Sequence, residues 1–304
     1  MRFFVAIKLK KKCKSIIFTL LKIDNMKKYN FFVFIFLALS TFSMAQNVKI
    51  MTYNIRLNVE SDGENAWPKR KDYFCSQIRF YEPDVFGIQE ALPSQVEDIS
   101  TLMPSYNFVG IGRDGLGKGE SSNIFYKKDR FELLKESTFW LSETPNEISK
   151  GWDAALNRVC TYALLKDKKT KKTFWVFNTH LDHIGEQART NSIQLIQSKI
   201  QSLNTDNFPV VFMGDFNSEP TENRMVNLKN NMIDTYEVSK DKPFGPTGTF
   251  NGFKHNEAVT QRIDYIFLSK TNTPQVLKYA VLSDSKDLKY PSDHLPVFVE
   301  MSFN

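Results

Sequence analysis

Short apolar runs that stop at a polar side chain recur along this chain, and their order limits what it can fold into. Val48 to Thr52 leads to Asn54 in TYNIR, Val85 to Ile88 leads to Glu90 in GIQEAL, and Val210 to Met213 leads to Asp215 and Asn217 in GDFNSEP. Asp293 and His294, in SDHLPV, stand just before the run that starts near Val297. Runs this short and rich in Val, Ile and Phe read as strands. Polar groups delivered at strand ends collect along one edge of a sheet. Carboxylates, carboxamides and a histidine gathered there supply oxygen ligands for a hard cation, a base for water and a donor for a departing oxygen.

The charge of the chain is divided unevenly. Residues 1–45 hold nine Lys or Arg and one acid, so of the 40 basic and 34 acidic residues the remainder keeps 31 and 33, a formal charge of −2 rather than +6. Within that leader, Lys27-Lys28 precede the apolar run Phe31 to Phe42, and Ser43 and Ala45 stand at the −3 and −1 positions of a cleavage site. The run is shorter than the about 20 residues of a membrane span. It reads as a secretory signal cleaved near Ala45, with an uncleaved N-terminal anchor as the alternative, and it predicts a periplasmic or secreted protein. Met26 is then the true start, or residues 1–25 lengthen the basic region. Residues 46–304 are expected to form one domain with two cysteines, Cys75 and Cys160, read as buried free thiols although the compartment permits their pairing.

Beyond the leader, strand-like segments greatly outnumber helical ones. Asn123 to Tyr126, Arg158 to Leu165, Phe174 to Asn178, Arg262 to Leu268, Tyr279 to Leu282 and Val297 to Met301 join the runs above. Ser94-Gln95-Val96-Glu97 reads as a capping box opening a helix, and Ile193, Ile196, Ile200 and Leu203 share a helical face that ends at Asn204. Many strands and few helices predict two packed sheets with helices outside them, since each sheet must bury both faces. Asp241 to Asn256, rich in Pro, Gly and Asn, reads as a surface loop, and Lys166 to Lys172 as a hairpin turn.

Two familiar site types are set aside. His180 and His183 are three apart, but no further His or Cys stands at a spacing that completes a zinc set. Gly112 to Lys118 spells the first seven places of a phosphate-binding P-loop, yet Gly119 replaces the Ser or Thr that the motif needs, and a strand follows instead of a helix. A flexible loop is the reading there, with Arg113 and Lys118 available to line a groove.

Taken together, TYNIR, GIQEAL, NTHLDH, GDFNSEP, RIDYIF and SDHLPV resemble the endonuclease/exonuclease/phosphatase superfamily, which includes deoxyribonuclease I, apurinic endonucleases, bacterial sphingomyelinases, inositol-polyphosphate 5-phosphatases and deadenylases. The blocks span residues 52 to 297 in order. The resemblance implies a four-layer α/β/β/α sandwich of two packed mixed sheets, with a magnesium site, in which manganese could substitute, formed by Glu90 beside Asn54 and Asp293. It implies that His294 pairs with Asp264, that Asp215 orients or deprotonates the attacking water, that Asn217 holds a phosphate oxygen, and that His180 contacts phosphate or protonates the leaving group. Arg158 stands where a guanidinium grips phosphate or forms a salt bridge. His183 and Arg189 are candidate substrate contacts of a subfamily.

The expected activity is hydrolysis of a phosphomonoester or phosphodiester by in-line attack of water, on a phosphorylated small molecule, a nucleic acid or a phospholipid head group. The slightly acidic domain disfavours a duplex nuclease, because nucleic-acid binding leaves a basic footprint. The alternatives are a sphingomyelinase-like membrane phospholipase, for which Lys242 to Pro246 offers only a meagre apolar hairpin, and a catalytically silent phosphate-binding module. No obligate protein partner is evident, and a monomer is expected.

Overall fold

The computed structural model describes residues 47–303, so the leader and its cleavage site lie outside the described residues. Two six-stranded sheets form the centre. The first contains β1 (Val48–Asn54), β2 (Val85–Gln89), β3 (Tyr106–Val109), β4 (Ile124–Lys127), β11 (Gln275–Val281) and β12 (Val297–Ser302), in the order β11-β12-β1-β2-β4-β3. The second contains β5 (Phe131–Trp140), β6 (Val159–Asp167), β7 (Thr173–His180), β8 (Val210–Asp215), β9 (Met232–Asp234) and β10 (Asp264–Ser269), in the order β5-β6-β7-β8-β10-β9. Each sheet is mixed, with one parallel pair at its heart, β1 with β2 and β7 with β8.

The helices α1 (Trp67–Tyr81) and α2 (Pro93–Leu102) cover the first sheet, and α3 (Glu186–Leu203) and α4 (Asn223–Lys229) the second; α5 (Thr235–Val238) is a single turn. This is the expected four-layer sandwich. None of the described helices is long and apolar enough to cross a membrane. The α2 helix opens two residues earlier than its sequence suggests. Leu92 is the N-cap, Pro93 takes the first turn, and the Gln95 side chain accepts from the Leu92 N–H at 3.1 Å, so Ser94 and Glu97 form no capping box.

Side-chain alternation explains where the polar groups go. On β1, Met51 and Tyr53 pack against the helices, while Val48 and Ile50 face the opposite sheet. Thr52 and Asn54 continue that inner row. Likewise Val176 precedes Asn178 and His180 on β7, Val211 and Met213 precede Asp215 on β8, and Ile266 and Leu268 follow Asp264 on β10. The layer between the sheets is therefore apolar at one end and polar at the other. The border is a fully buried amide network: Asn178 donates to the Ile88 and Asn123 carbonyls at 2.9 and 2.8 Å and accepts from Gln89 at 2.6 Å, and Gln89 also donates to Thr52 at 3.0 Å. Buried amides need such partners, and here they tie the two sheets at one depth.

The segment from Asp241 to Asn256 is only partly a surface loop. Thr249 is fully buried, and its hydroxyl accepts from the Ile263 and Asp264 N–H groups at 3.1 Å, while its carbonyl accepts from the Leu295 N–H at 2.7 Å. It stitches the start of β10 to the chain beside His294.

Candidate active site

At the polar end of the inter-sheet layer lies a cavity of about 460 Å³ lined by Glu90, Asp215, Asn217, Asp293, His180 and His294, with Arg56, Arg113, Arg158 and His183 further along its wall. Glu90 reaches it from a left-handed backbone position, φ 64°, directly after β2. Its Oε2 accepts from the Leu57 N–H at 3.1 Å and its Oε1 from Asn54 Nδ2 at 3.0 Å. Asn54 Nδ2 also reaches Asp215 Oδ2, on the other sheet, at 2.9 Å, and Asn54 Oδ1 accepts from the Arg56 N–H. The Asn54 carboxamide therefore joins two carboxylates as a donor. Its oxygen accepts from one backbone N–H and keeps a second lone pair, so the carboxamide can still stand as a ligand beside Glu90.

The loops are braced from behind by Arg70 of α1, which the sequence reading did not single out. Its Nη1 donates to the Ile55 and Pro291 carbonyls at 2.5 and 3.0 Å, and its Nη2 to the Arg56 carbonyl at 2.7 Å. One buried guanidinium thus holds the TYNIR and SDHLPV segments together. Only its five N–H donors in a rigid fork make this possible, and a helical arginine in sequence carries no signal of it.

Asp215 and the two histidines form the centre. Asp215 Oδ1 accepts from the Asn217 N–H at 2.9 Å, and its Oδ2 lies 3.5 Å from His180 Nε2 and 3.8 Å from His294 Nε2. The other nitrogen of His294, Nδ1, donates to Asp264 Oδ2 at 2.8 Å. Burial pushes the His294 ring down, but Asp264, the hydrogen bond to it, Asp215 and Asp293 outweigh burial and hold the ring well above its ordinary pKa. His180 goes the other way: burial and the nearby Arg158 and His294 charges lower it well below. Its Nε2 accepts from Asn217 Nδ2 at 3.0 Å, as a neutral ring would. Burial and Asp264 raise Asp215 to about 7 against the pull of His294. One cavity thus holds a cationic histidine, a neutral one and a carboxyl poised between its two states, the divergence expected of acid and base partners.

Asp215, Asp264 and His294 bring ligand-type atoms within 4.8 Å of one another. His294 Nδ1 is bonded to Asp264 there, and the surrounding carboxylates favour the protonated ring, which is a poor ligand. The hard-cation chemistry fits Glu90 and Asp293 better. Both carboxylates face Arg56, yet at 3.9 Å each, beyond hydrogen-bond reach, because the guanidinium is engaged with Asp62 at 3.0 and 3.1 Å. Two carboxylates sharing a cavity with acceptor capacity to spare suit magnesium, which takes few carboxylates and retains several waters.

The remaining candidates divide. Arg158 lines the cavity, with Nη2 3.0 Å from His183 Nδ1 and Nε 3.3 Å from Asp182 Oδ2. It forms the salt bridge of its second expected reading, and it stands on the cavity wall. Arg189 is absent from the lining: it lies buried on α3, bonded to the Asp182 carbonyl at 3.0 Å and to Glu186. The structure gives it a bracing place instead of a substrate contact. Lys118 is exposed and stands off the wall, whereas Arg113 is on it. Cys75 and Cys160 are buried free thiols.

Comparison with known proteins places these features. A family model described as the Endonuclease/Exonuclease/phosphatase family matches residues 51–294. The chain is 29% identical over 178 residues to the uncharacterized protein L388 of Acanthamoeba polyphaga mimivirus, covering 55% of this chain and 65% of that protein. It is 23% identical over 290 residues to nocturnin of Mus musculus, covering 84% and 66%. It therefore spans just under two thirds of the length of these relatives. Among solved structures, the mannosyl-6-phosphatase Bt3783 of Bacteroides thetaiotaomicron VPI-5482 aligns with a TM-score of 0.80 at 38% identity, over 84% of this chain and 100% of that one. An endonuclease/exonuclease/phosphatase from Bacteroides vulgatus aligns with a TM-score of 0.81 at 35% identity, over 85% and 100%. With a family match that begins inside β1 and ends at His294, and full-length structural counterparts among bacterial members, the chain belongs to the endonuclease/exonuclease/phosphatase family.

Proposed function

We propose that this protein is a magnesium-dependent phosphomonoesterase acting on a compact phosphate ester by in-line attack of water. The observation that carries the reading is the placement of His294, bonded to Asp264, and His180, bonded to Asn217, on either side of Asp215, in a cavity shared with two oxygen-donor carboxylates. Glu90 and Asp293 would hold the cation, and manganese would serve in its place. Bound there, the metal supplies charge stabilisation for the phosphoryl oxygens.

Asp215 orients the water and takes its proton as the new phosphorus–oxygen bond forms and the ester bond breaks. The His294 cation, fixed by Asp264, balances charge developing on the phosphoryl group. Asn217 gives its two amide hydrogens to His180 Nε2 and the Leu181 carbonyl, and so fixes the neutral His180 ring beside the phosphate. The departing oxygen draws its proton from solvent at the cavity mouth. A monoester is favoured by the likeness to a protein named as a sugar phosphatase. The Lys27-Lys28 charges, apolar run and Ala45 support export, which leaves a domain of charge −2, without the overall basic excess that favours nucleic acid.

The deciding experiment exports the full chain from a bacterial host, checks by intact mass for an N-terminus near Gln46, and assays phosphomonoesters, phosphodiesters, nucleic acids and phospholipid vesicles with magnesium, manganese or chelator. Monoester hydrolysis that chelator abolishes is expected. Turnover confined to nucleic acid or vesicles overturns the substrate reading, and full activity in chelator overturns the metal.

A second expectation concerns pH. Asp264 raises His294, and the cation is the working form, so activity should decline as pH rises through the His294 pKa. In Asp264→Asn burial dominates, the ring loses its proton at lower pH, and the alkaline limb of kcat/KM should move to lower pH. An alkaline limb that stays in place would detach His294 from this role.

A further inference from the structure

The glycine-rich segment that spells most of a P-loop is a tight hairpin bound to the site. Gly112 bridges to Ser121, the Arg113 N–H donates to the Glu120 carbonyl at 2.8 Å, and the Ser121 N–H and hydroxyl both donate to the Ala91 carbonyl at 2.9 Å. The hairpin is thus fastened to the residue that follows Glu90. Trp140 Nε1 holds its other side by donating to the Arg113 carbonyl at 2.7 Å. A Cβ at Gly112 would stand 1.9 Å from the Lys118 carbonyl oxygen, so the glycine serves close backbone approach.

On this hairpin sits a charged pair that the hydrolytic chemistry leaves unused. Arg113 Nη2 meets Glu120 Oε1 at 2.6 Å, with only 13% and 12% of the two side chains exposed, and both line the cavity. Arg113 Nη1 is buried with no hydrogen-bond partner. Buried donors of this kind are rare and call for an acceptor. The neighbouring wall adds apolar surface from Leu156 and Phe250.

We propose that Arg113 and Glu120 read the hydroxyl groups of the substrate's alcohol half, which makes the preferred substrate class sugar phosphates. The proposal rests on the phosphomonoesterase reading of the same cavity. A carboxylate accepts from a sugar hydroxyl while the adjacent guanidinium donates to a hydroxyl or ring oxygen. Leu156 and Phe250 suit the C–H face of the ring. Sites built to bond a hydroxyl reject analogues that lack it, because their own polar groups are then left unpaired.

The test compares a hexose 6-phosphate with phenyl phosphate, which shares the phosphate and has no hydroxyls, on wild type, Glu120→Gln and Arg113→Lys. Wild type should prefer the hexose ester. In both variants the ratio of kcat/KM for the hexose ester to that for phenyl phosphate should fall about 10- to 100-fold, as expected when a hydrogen bond to a charged group is lost. Melting temperatures identify any variant with a disturbed hairpin, and Glu120→Gln, which preserves side-chain size, then decides alone. A ratio unchanged in Glu120→Gln, or a wild type that hydrolyses phenyl phosphate with no preference for the hexose ester, overturns the proposal and leaves the phosphomonoesterase reading standing. A wild type that hydrolyses neither compound removes both.

Discussion

Replacing Glu90 with Gln is expected to lower kcat/KM by about 10³-fold, because a catalytic cation contributes several kcal/mol of charge stabilisation. The fold should survive the change. Gln keeps the size of the side chain, and its carbonyl oxygen still accepts from the Leu57 N–H that meets Glu90 at 3.1 Å. The lost charge is what matters, since it leaves Asp293 alone facing Arg56 at 3.9 Å. The measurement is a magnesium titration of activity on both proteins beside their thermal melts. A Glu90→Gln protein with the magnesium dependence and turnover of the wild type would end the assignment of that carboxylate to the metal.

Asp215→Asn and His294→Ala should each reduce kcat by about 10² to 10⁴, the range for losing a positioned acid or base. The two changes should not multiply, since their side chains face one another at 3.8 Å and act in one step. Stability should respond differently. Asp215 has a folded pKa raised by burial and by Asp264 to about 7, so the native state binds its proton more tightly than the unfolded chain does. Its ionisation therefore works against folding as pH rises from about 4 to about 7. At pH 8, Asp215→Asn should melt no lower than wild type, as a site shaped for chemistry at the expense of stability would. Wild-type turnover in either variant would remove that residue from the mechanism, and a strongly lowered melt for Asp215→Asn would contradict the electrostatic account.

The central strands and the edge strands differ in how far they could be read from sequence. β1, β2, β7, β8, β10 and β12 have covered faces, so their residues are almost uniformly buried and their apolar runs stand out. Three strands escaped notice, β3, β5 and β9, and all lie at sheet edges. On β5, Glu132, Lys135 and Glu136 are exposed along a ten-residue strand that pairs with β6, and charge at an open edge is how a sheet avoids pairing with another chain. The same charges hide the strand from a pattern search. Thr249 was hidden for a different reason: its hydroxyl replaces a strand partner for two amides, inside a stretch whose Pro and Gly content speaks only for loop.

The chain's own order of residues determined the two-sheet architecture and the delivery of Asn54, Glu90, Asp215 and the Asp293-His294 pair to strand ends, because strand period and apolar run length are local properties. Only the tertiary structure decided which of these groups meet and in what charge state. Asn54 spans from one sheet to a carboxylate of the other, Arg70 crosses from α1 to bind two loops, and His294 and His180 diverge through burial and neighbours far away in sequence. Hydrogen bonds and electrostatic shifts depend on distance in space and on the exclusion of water, and neither exists until the two sheets have closed on one another.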